Sequence, residues 1–226
     1  MSNKKQLLKQ YNGVADTYSA QIQAMNKKSI KEFQEALASV NVSGKKVLDL
    51  GCGAGDLISY LQSIGYDYAG VDSSEDMISK IQKTQNVDLR VEDFTKTSFK
   101  NSSFDLVVSK WAVQTVQNIE LVYKEVYRLL KRDACLVFLV THPVRQFLEK
   151  KKAGKNYFTK EIVNSLIFNK SITVQEPSHT MAEYLSDYFL DKFHLLKIIE
   201  SYEFPGAEQI NGDIYPTHLL FIAQKK

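Results

Sequence analysis

VLDLGCGAG, residues Val47 to Gly55, is the stretch on which the reading of this chain turns. An apolar run carrying Asp49 leads into Gly51, Gly53 and Gly55, and a helical pattern bearing Leu57, Leu61 and Ile64 follows at once. Glycine is needed where backbone must pass a ligand closely or take positive φ. One tight turn accounts for one such glycine and explains three at this spacing poorly. In an open α/β sheet, ligands bind outside the carboxyl ends of the strands, where a turn of this kind lies. A dinucleotide fingerprint, GxGxxG, asks for a small residue at position 56, and Asp56 stands there. A carboxylate at a helix N-terminus repels a pyrophosphate, so a nucleoside ligand without phosphate suits the turn better.

Working outward, YDYAGVDSS (Tyr66 to Ser74) reads as a second strand ending in Asp72. A carboxylate here is placed to meet a ribose diol, since it accepts two charge-assisted hydrogen bonds side by side. Ser73 and Ser74 then cap the next helix. Further apolar runs predict strands at Lys46 to Leu50, Asp67 to Val71, Val87 to Val91, Phe104 to Ser109 and Cys135 to Val140. The last of these, CLVFLV, is apolar throughout, which predicts an interior position in the sheet. Tyr202 and Thr217 to Ala223 are assigned to the last two strands. Helices are expected at Ile30 to Val40, behind a Ser29 to Glu32 capping box, and along Ile119 to Leu129. Strands alternating with helices predict a doubly wound, Rossmann-like parallel sheet.

Composition agrees with a globular fold: 226 residues, 44% hydrophobic and 24% charged, with four prolines. No repeat or linker divides the chain, so residues 1–226 are read as a single domain. Residues 1–42 form an N-terminal helical lid in this reading, and 143–184 an insertion after the fifth strand near a substrate site. MSNKKQLLKQYNG has no apolar core of a signal peptide, no run reaches the ~20 residues of a bilayer span, and two cysteines make no disulfide framework. A cytoplasmic location is therefore expected, with no membrane partner. The net charge of +3 does not argue for nucleic acid, because basic residues lie scattered among acidic ones.

With these motifs assembled, the chain resembles the class I methyltransferases, in the small-molecule branch called type 11. VLDLGCGAG is similar to that family's first motif, GVDSSEDMI (Gly70 to Ile78) to the second and VEDF (Val91 to Phe94) to the third. FDLVVSKWAVQTVQN (Phe104 to Asn118) resembles the fourth, and LKRDACLVFLVTHP (Leu130 to Pro143) the helix end and strand that follow. The resemblance implies a seven-stranded sheet with its last strand antiparallel, and transfer of a methyl group from S-adenosylmethionine, leaving S-adenosylhomocysteine. It implies that Asp49, Gly51, Cys52 and Gly53 surround the methionine part, that Asp72 holds the ribose, and that Ser73 and Met77 lie beside the adenine. Asp93 and Phe94 close the other side of that ring, and Ser109 lies under the sulfonium. YNGVADTYSAQI (Tyr11 to Ile22) resembles the lid that sets Tyr11 and Tyr18 over the cofactor, where aromatic faces attract a cation.

Three departures concern the acceptor side. Lys131-Arg132-Asp133 stands where glycines are usual, Lys110 and Trp111 replace smaller residues, and Gln114 occupies a place where histidine is frequent. Trp111, His142 and His179 are the candidate substrate contacts; either histidine could instead be structural, and neither is assigned as a base. Displacement at an activated methyl needs alignment and exclusion of water, and a base only when the nucleophile carries a proton of high pKa. No metal is expected, since His142, His179, His194 and His218 show no short ligand spacing. The Asp/Asn-Pro-Pro-aromatic motif of amino-group DNA methylation and the Pro-Cys pair of ring methylation are both missing. A small-molecule acceptor, methylated on O, N or C, is the expected partner. The alternatives are an RNA or protein acceptor docked through EKKKAGK (Glu149 to Lys155), a non-enzymatic cofactor-binding module, and an NAD-dependent dehydrogenase weakened by Asp56.

Overall fold

The apolar runs of the first half become parallel strands: β1 (Lys46–Leu50), β2 (Asp67–Asp72), β3 (Val87–Val91), β4 (Phe104–Lys110) and β5 (Leu130–Thr141). After β5 the chain leaves the sheet to build an antiparallel hairpin, β6 (Ile162–Ile167) and β7 (Ile172–Pro177). It returns as β8 (Phe193–Ser201) and β9 (His218–Lys225), and the seven-stranded order is β3-β2-β1-β4-β5-β9-β8. Within this sheet β9 lies between β5 and β8 and runs antiparallel to both. The computed structural model describes residues 10–11, 14–81, 87–151, 153–168, 171–205, 207 and 209–226.

Both faces of the sheet are covered, as the continuous apolar strands require. Leu48, Leu50, Val107, Leu136 and Phe138 point to one side, against Ile119, Val122, Tyr123 and Val126 of the helix Ile119–Leu129. Val47, Leu106, Val108, Val137 and Leu139 point to the other, against Phe33 and Leu37 of the helix Lys27–Ser39 and Leu57, Ile58 and Leu61 after the glycine turn. The period of two along each strand thus feeds two separate cores. The strand order reverses between β1 and β4, so a crevice opens beyond their carboxyl ends, where ligands bind in such sheets.

Two local expectations are corrected. The helix expected behind a Ser29 to Glu32 capping box starts earlier, at Lys27. The carboxylate of Glu203, from a distant loop, takes the Ser29 amide at 2.6 Å, and Glu32 is turned instead to His218 at 2.7 Å. Tyr202 lies just beyond β8 rather than within a strand. The β8 strand itself carries no clean alternation because it is an edge strand, half of it facing solvent. The insertion contains a β-hairpin beside its short helices Pro143–Glu149 and Met181–Tyr184. At Lys131-Arg132-Asp133 the missing glycine is replaced by Asp133, which adopts φ +60° at a bulge in β5. Aspartate visits this region more readily than most non-glycine residues.

Candidate functional site

Gly51 and Gly53 make the turn after β1 for different reasons. Gly51 has φ +74°, and a Cβ there meets the Cβ of Ala112 at 2.2 Å, so this glycine lets β1 and the segment after β4 close on each other. Gly53 has φ +53° and nothing within 4 Å of a Cβ position, because it faces a cavity. That cavity, about 270 Å³, occupies the crevice at the strand ends.

The structure brings most of the expected cofactor residues to this cavity: Tyr11, Tyr18, Gly51, Cys52, Gly53, Asp72, Ser73, Met77 and Phe94 all line it. The two oxygens of Asp72 are held by backbone amides, Oδ2 by Gly53 at 2.9 Å and Oδ1 by Ser74 at 2.8 Å. The Ser73 amide reaches the same carboxylate, whose two oxygens together offer about four acceptor positions. Burial raises the Asp72 carboxyl above its ordinary value, and the amides of Ser74, Gly53 and Ser73 oppose that shift. Ser74, not Ser73, caps the following helix through the Met77 amide.

Asp49, Asp93 and Ser109 stand apart from the lining. Ser109 is fully buried and donates to the Leu50 carbonyl at 2.7 Å, tying β4 to β1. Its hydroxyl is thus committed to the sheet rather than aimed at a sulfonium. Asp93 accepts from the Thr95 amide at 2.9 Å and shapes the turn after β3. Asp49 sits behind the glycine turn; Oδ2 accepts from the Tyr68 hydroxyl at 2.9 Å, while Oδ1 is buried with no partner among the described residues. Burial first, then the nearby Asp56, pushes the Asp49 carboxyl up to about 7.

Asp56 forms an ion pair with Lys110 at the edge of the cavity. The carboxylate weighed against a pyrophosphate therefore has its own counter-ion, a partner that a local reading of the turn could not supply.

A second cavity of about 40 Å³ adjoins the first and shares Tyr11, Tyr18 and Trp111 with it. Trp111 takes φ +60° at the end of β4, a strained setting for a bulky residue of the kind that collects at functional sites. Its indole Nε1 is buried without a partner among the described residues, and so is Oε1 of Gln114. Tyr11 and Tyr18 meet edge to face at 5.8 Å, and Tyr18 meets Phe168 likewise at 5.5 Å. The roof is made from both ends of the sequence: Gln10 exchanges two hydrogen bonds with the backbone of Gln175 in β7, at 2.7 and 2.8 Å. The lid motif's Asn12 and Gly13 lie outside the described residues.

The polar wall of this second cavity went unforeseen. Glu176, 1% exposed, accepts from Gln146 at 2.9 Å and Ser165 at 3.3 Å, and is also hydrogen-bonded by Thr141. Ser165 reaches on to Glu149, which pairs with Arg145 at 3.0 Å. Burial, reinforced by Glu149, pushes the Glu176 carboxyl up to about 7. The available signal was alternation: Ile172, Val174 and Glu176 share the buried face of β7, so an acid occupied a core position.

Both candidate histidines turn out to be engaged within the protein. His142 accepts from the Val144 amide at 3.0 Å and meets Glu200 at 2.7 Å, an arrangement that suits the neutral ring. Burial lowers its pKa, against the pull of Glu200. His179 faces the Gln114 carbonyl at 3.1 Å and Glu183 at 3.3 Å. Neither lines the two cavities; of the three expected substrate contacts, only Trp111 does.

Comparison with known proteins agrees with this geometry. Residues 48–138 match the family model described as a methyltransferase domain. A malonyl-[acyl-carrier protein] O-methyltransferase of Bacillus cereus is 28% identical over 149 residues, covering 61% of this chain and 53% of that protein. Phosphoethanolamine N-methyltransferase 3 of Arabidopsis thaliana is 32% identical over 94 residues, covering 39% of this chain and 19% of that protein. The chain thus spans about half or less of the length of these curated relatives. The crystal structure of a putative S-adenosylmethionine dependent methyltransferase from Listeria monocytogenes superimposes with a TM-score of 0.70 at 23% identity, covering 88% of this chain and all of that one. Motifs, sheet order and family match coincide: residues 48–138 match a methyltransferase domain, and the chain shares its fold with a putative S-adenosylmethionine dependent methyltransferase of known structure.

Proposed function

We propose that this protein transfers a methyl group from S-adenosylmethionine to a small-molecule acceptor whose reacting group enters the second cavity. The observation that carries the reading is the meeting of two cavities at one aromatic seam, Tyr11, Tyr18 and Trp111. The residues suit the cofactor: Gly53 leaves open space where a side chain would intrude, and Asp72 offers two fixed acceptors to a diol. When bound, S-adenosylmethionine supplies a methyl carbon on a positively charged sulfur.

In this reading Asp72 receives the ribose hydroxyls, while Met77 and Phe94 enclose the adenine. The Asp56–Lys110 pair offers one charge of each sign to a zwitterionic amino-acid end. Tyr11 and Tyr18 face the sulfonium, because ring faces attract a cation by about 0.5–2 kcal/mol, more as water is removed. With the β6–β7 hairpin they also exclude water, the main demand of a displacement whose chemistry the cofactor already carries. The segment bearing them is the lid and must open for exchange.

Calorimetry tests the reading directly. S-adenosylmethionine and S-adenosylhomocysteine are expected to bind saturably and NAD to leave no measurable heat. Tighter binding of NAD overturns it.

A further inference from the structure

The second cavity has a chemical character of its own. Its walls combine aromatic rings, Tyr11, Tyr18, Trp111 and Phe168, with the buried carboxylate of Glu176. Around it the charges do not cancel. Glu149 and Glu176 share the hydroxyl of Ser165, and one guanidinium, Arg145, stands against them. Glu203 also lines the cavity, with its oxygens taken by the amides of Lys28 and Ser29. Independently, Gln114 is 3% exposed, lines the same space, and has no partner for its Oε1 among the described residues. Burying an acceptor without a donor costs about 1–3 kcal/mol, which a ligand N–H removes. Rings, surplus carboxylate and a vacant acceptor together describe a receptor for an ammonium group.

Resting on the methyl-transfer reading above, we propose that the second cavity is an acceptor site selective for primary amines, with Glu176 as the residue that takes the amine's proton and Gln114 as a second hydrogen-bond acceptor. The step balances. R–NH3⁺ gives one proton to the Glu176 carboxylate, which frees the nitrogen lone pair. That pair forms the N–C bond to the methyl carbon as the C–S bond breaks, and the bonding electrons stay on sulfur. The product leaves as R–NH2⁺–CH3, and Glu176 returns its proton to solvent. A carboxylate acceptor meets repulsion here instead, so O-methylation of an acid does not fit this site.

Trp111 is the single tryptophan and touches both cavities, so its indole N–H resonance reports occupancy. The experiment titrates benzylamine, benzyl alcohol and benzoate into protein saturated with S-adenosylhomocysteine. Benzylamine is expected to shift the resonance saturably, with a Kd at least about tenfold below those of the other two. Glu176→Gln is expected to weaken benzylamine by at least about tenfold and to leave the S-adenosylhomocysteine Kd within about twofold. Should that variant not fold, the wild type answers: benzylamine binding is to weaken as pH falls through about 7, where Glu176 takes up a proton among Arg145, Glu149, Tyr11 and Tyr184. Benzoate binding as tightly as benzylamine, no saturable shift with the amine, or an amine Kd indifferent to Glu176→Gln and to pH overturns the proposal. Failure of the wild type to bind S-adenosylhomocysteine sinks the parent reading as well, which separates the two failures.

Discussion

The cofactor side and the acceptor side of this molecule are built by different means. The first rests on backbone, with positive-φ Gly51 and Gly53 and the amides on Asp72 all within residues 47–94, and Tyr11, Tyr18 and Lys110 closing it from outside that stretch. The second is made of side chains brought from far apart, joining Gln10 to Gln175, Gln146 to Glu176 and Gln114 to His179. A turn that accepts only glycine writes itself into the sequence at fixed spacing. A hydrogen-bonded wall assembled over 30 to 165 residues leaves only single polar letters. The two sides should accordingly break differently, one through main-chain strain and the other through charge.

Gly51→Ala carries the largest expected effect, since its Cβ meets Ala112 and its φ is positive. Overpacking and left-handed strain together are expected to cost about 3–5 kcal/mol of folding stability and to abolish S-adenosylhomocysteine binding. Gly53→Ala is the sharpening control. Its Cβ meets nothing, so folding should fall by only about 1–2 kcal/mol while cofactor affinity falls severely. Denaturant melts and calorimetry on both variants check this, and equal melts would show that the two glycines do not differ in the way the geometry states.

Asp72→Ala comes next. Loss of charge-assisted bonds to a diol is expected to weaken S-adenosylhomocysteine by on the order of 2–3 kcal/mol, or about 30- to 150-fold in Kd. The fold should lose about 1 kcal/mol, because Asp72 also anchors the Gly53 and Ser74 amides. An unchanged Kd by calorimetry reduces Asp72 to an anchor of its own turn.

A pH titration compares the two sides through Asp49 and Glu176, both buried and both raised to about 7. A carboxyl whose folded pKa is raised keeps its proton in the folded state after the unfolded chain has lost it. Its stabilisation is full below about 4 and is lost as pH rises towards about 7, where the slope ends. Unliganded protein should therefore weaken by on the order of 1–3 kcal/mol per group across that window. Asp49→Asn should remove the cofactor side's share and leave that of Glu176. A midpoint that stays flat from pH 4 to 7 in urea melts contradicts both assignments.

How much of this was legible follows from the same contrast. Lys46–Leu50 and Val87–Val91 fold as strands with the bounds read from sequence, because parallel strands buried in an α/β sheet announce themselves as apolar runs. The glycines and Asp72 were legible as a local motif. His142 and His179 drew attention as the residue type that most often does proton work, yet both are held inside by Glu200 and Glu183. Glu176 escaped because one acid in a strand reads as solvent-facing until the strand's buried side is known. Asp56 misled in the opposite sense, since its partner Lys110 is 54 positions away.

The smallest effect, expected to be nil, belongs to the lysines of the insertion, on which the RNA alternative rests. Lys150, Lys151, Lys152, Lys155 and Lys160 form a dense run, and Tyr157 and Phe158 supply rings beside it. Lys152 lies outside the described residues. Three of the others turn back onto the protein. Lys150 is buried and donates to the Asn156 carbonyl at 2.7 Å, and Lys155 donates to the Leu148 carbonyl at 2.6 Å. Lys160 donates to the Gln117 carbonyl at 2.6 Å and pairs with Glu183, whose carboxyl the bonds from His179, Lys160 and Thr180 hold down at about 2 despite burial. Ammonium groups spent on carbonyls and a carboxylate are poor donors to phosphates, since each must first give up a bond it already has. Phosphate contacts of this kind also fade steeply with salt. A filter assay near physiological salt should accordingly show no saturable tRNA or rRNA binding, and exchanging Lys151 and Lys155 for serine should change neither that result nor S-adenosylhomocysteine affinity. Methyl label recovered at one defined nucleotide of an RNA would reverse the assignment and make the insertion, not the buried carboxylate wall, the acceptor surface.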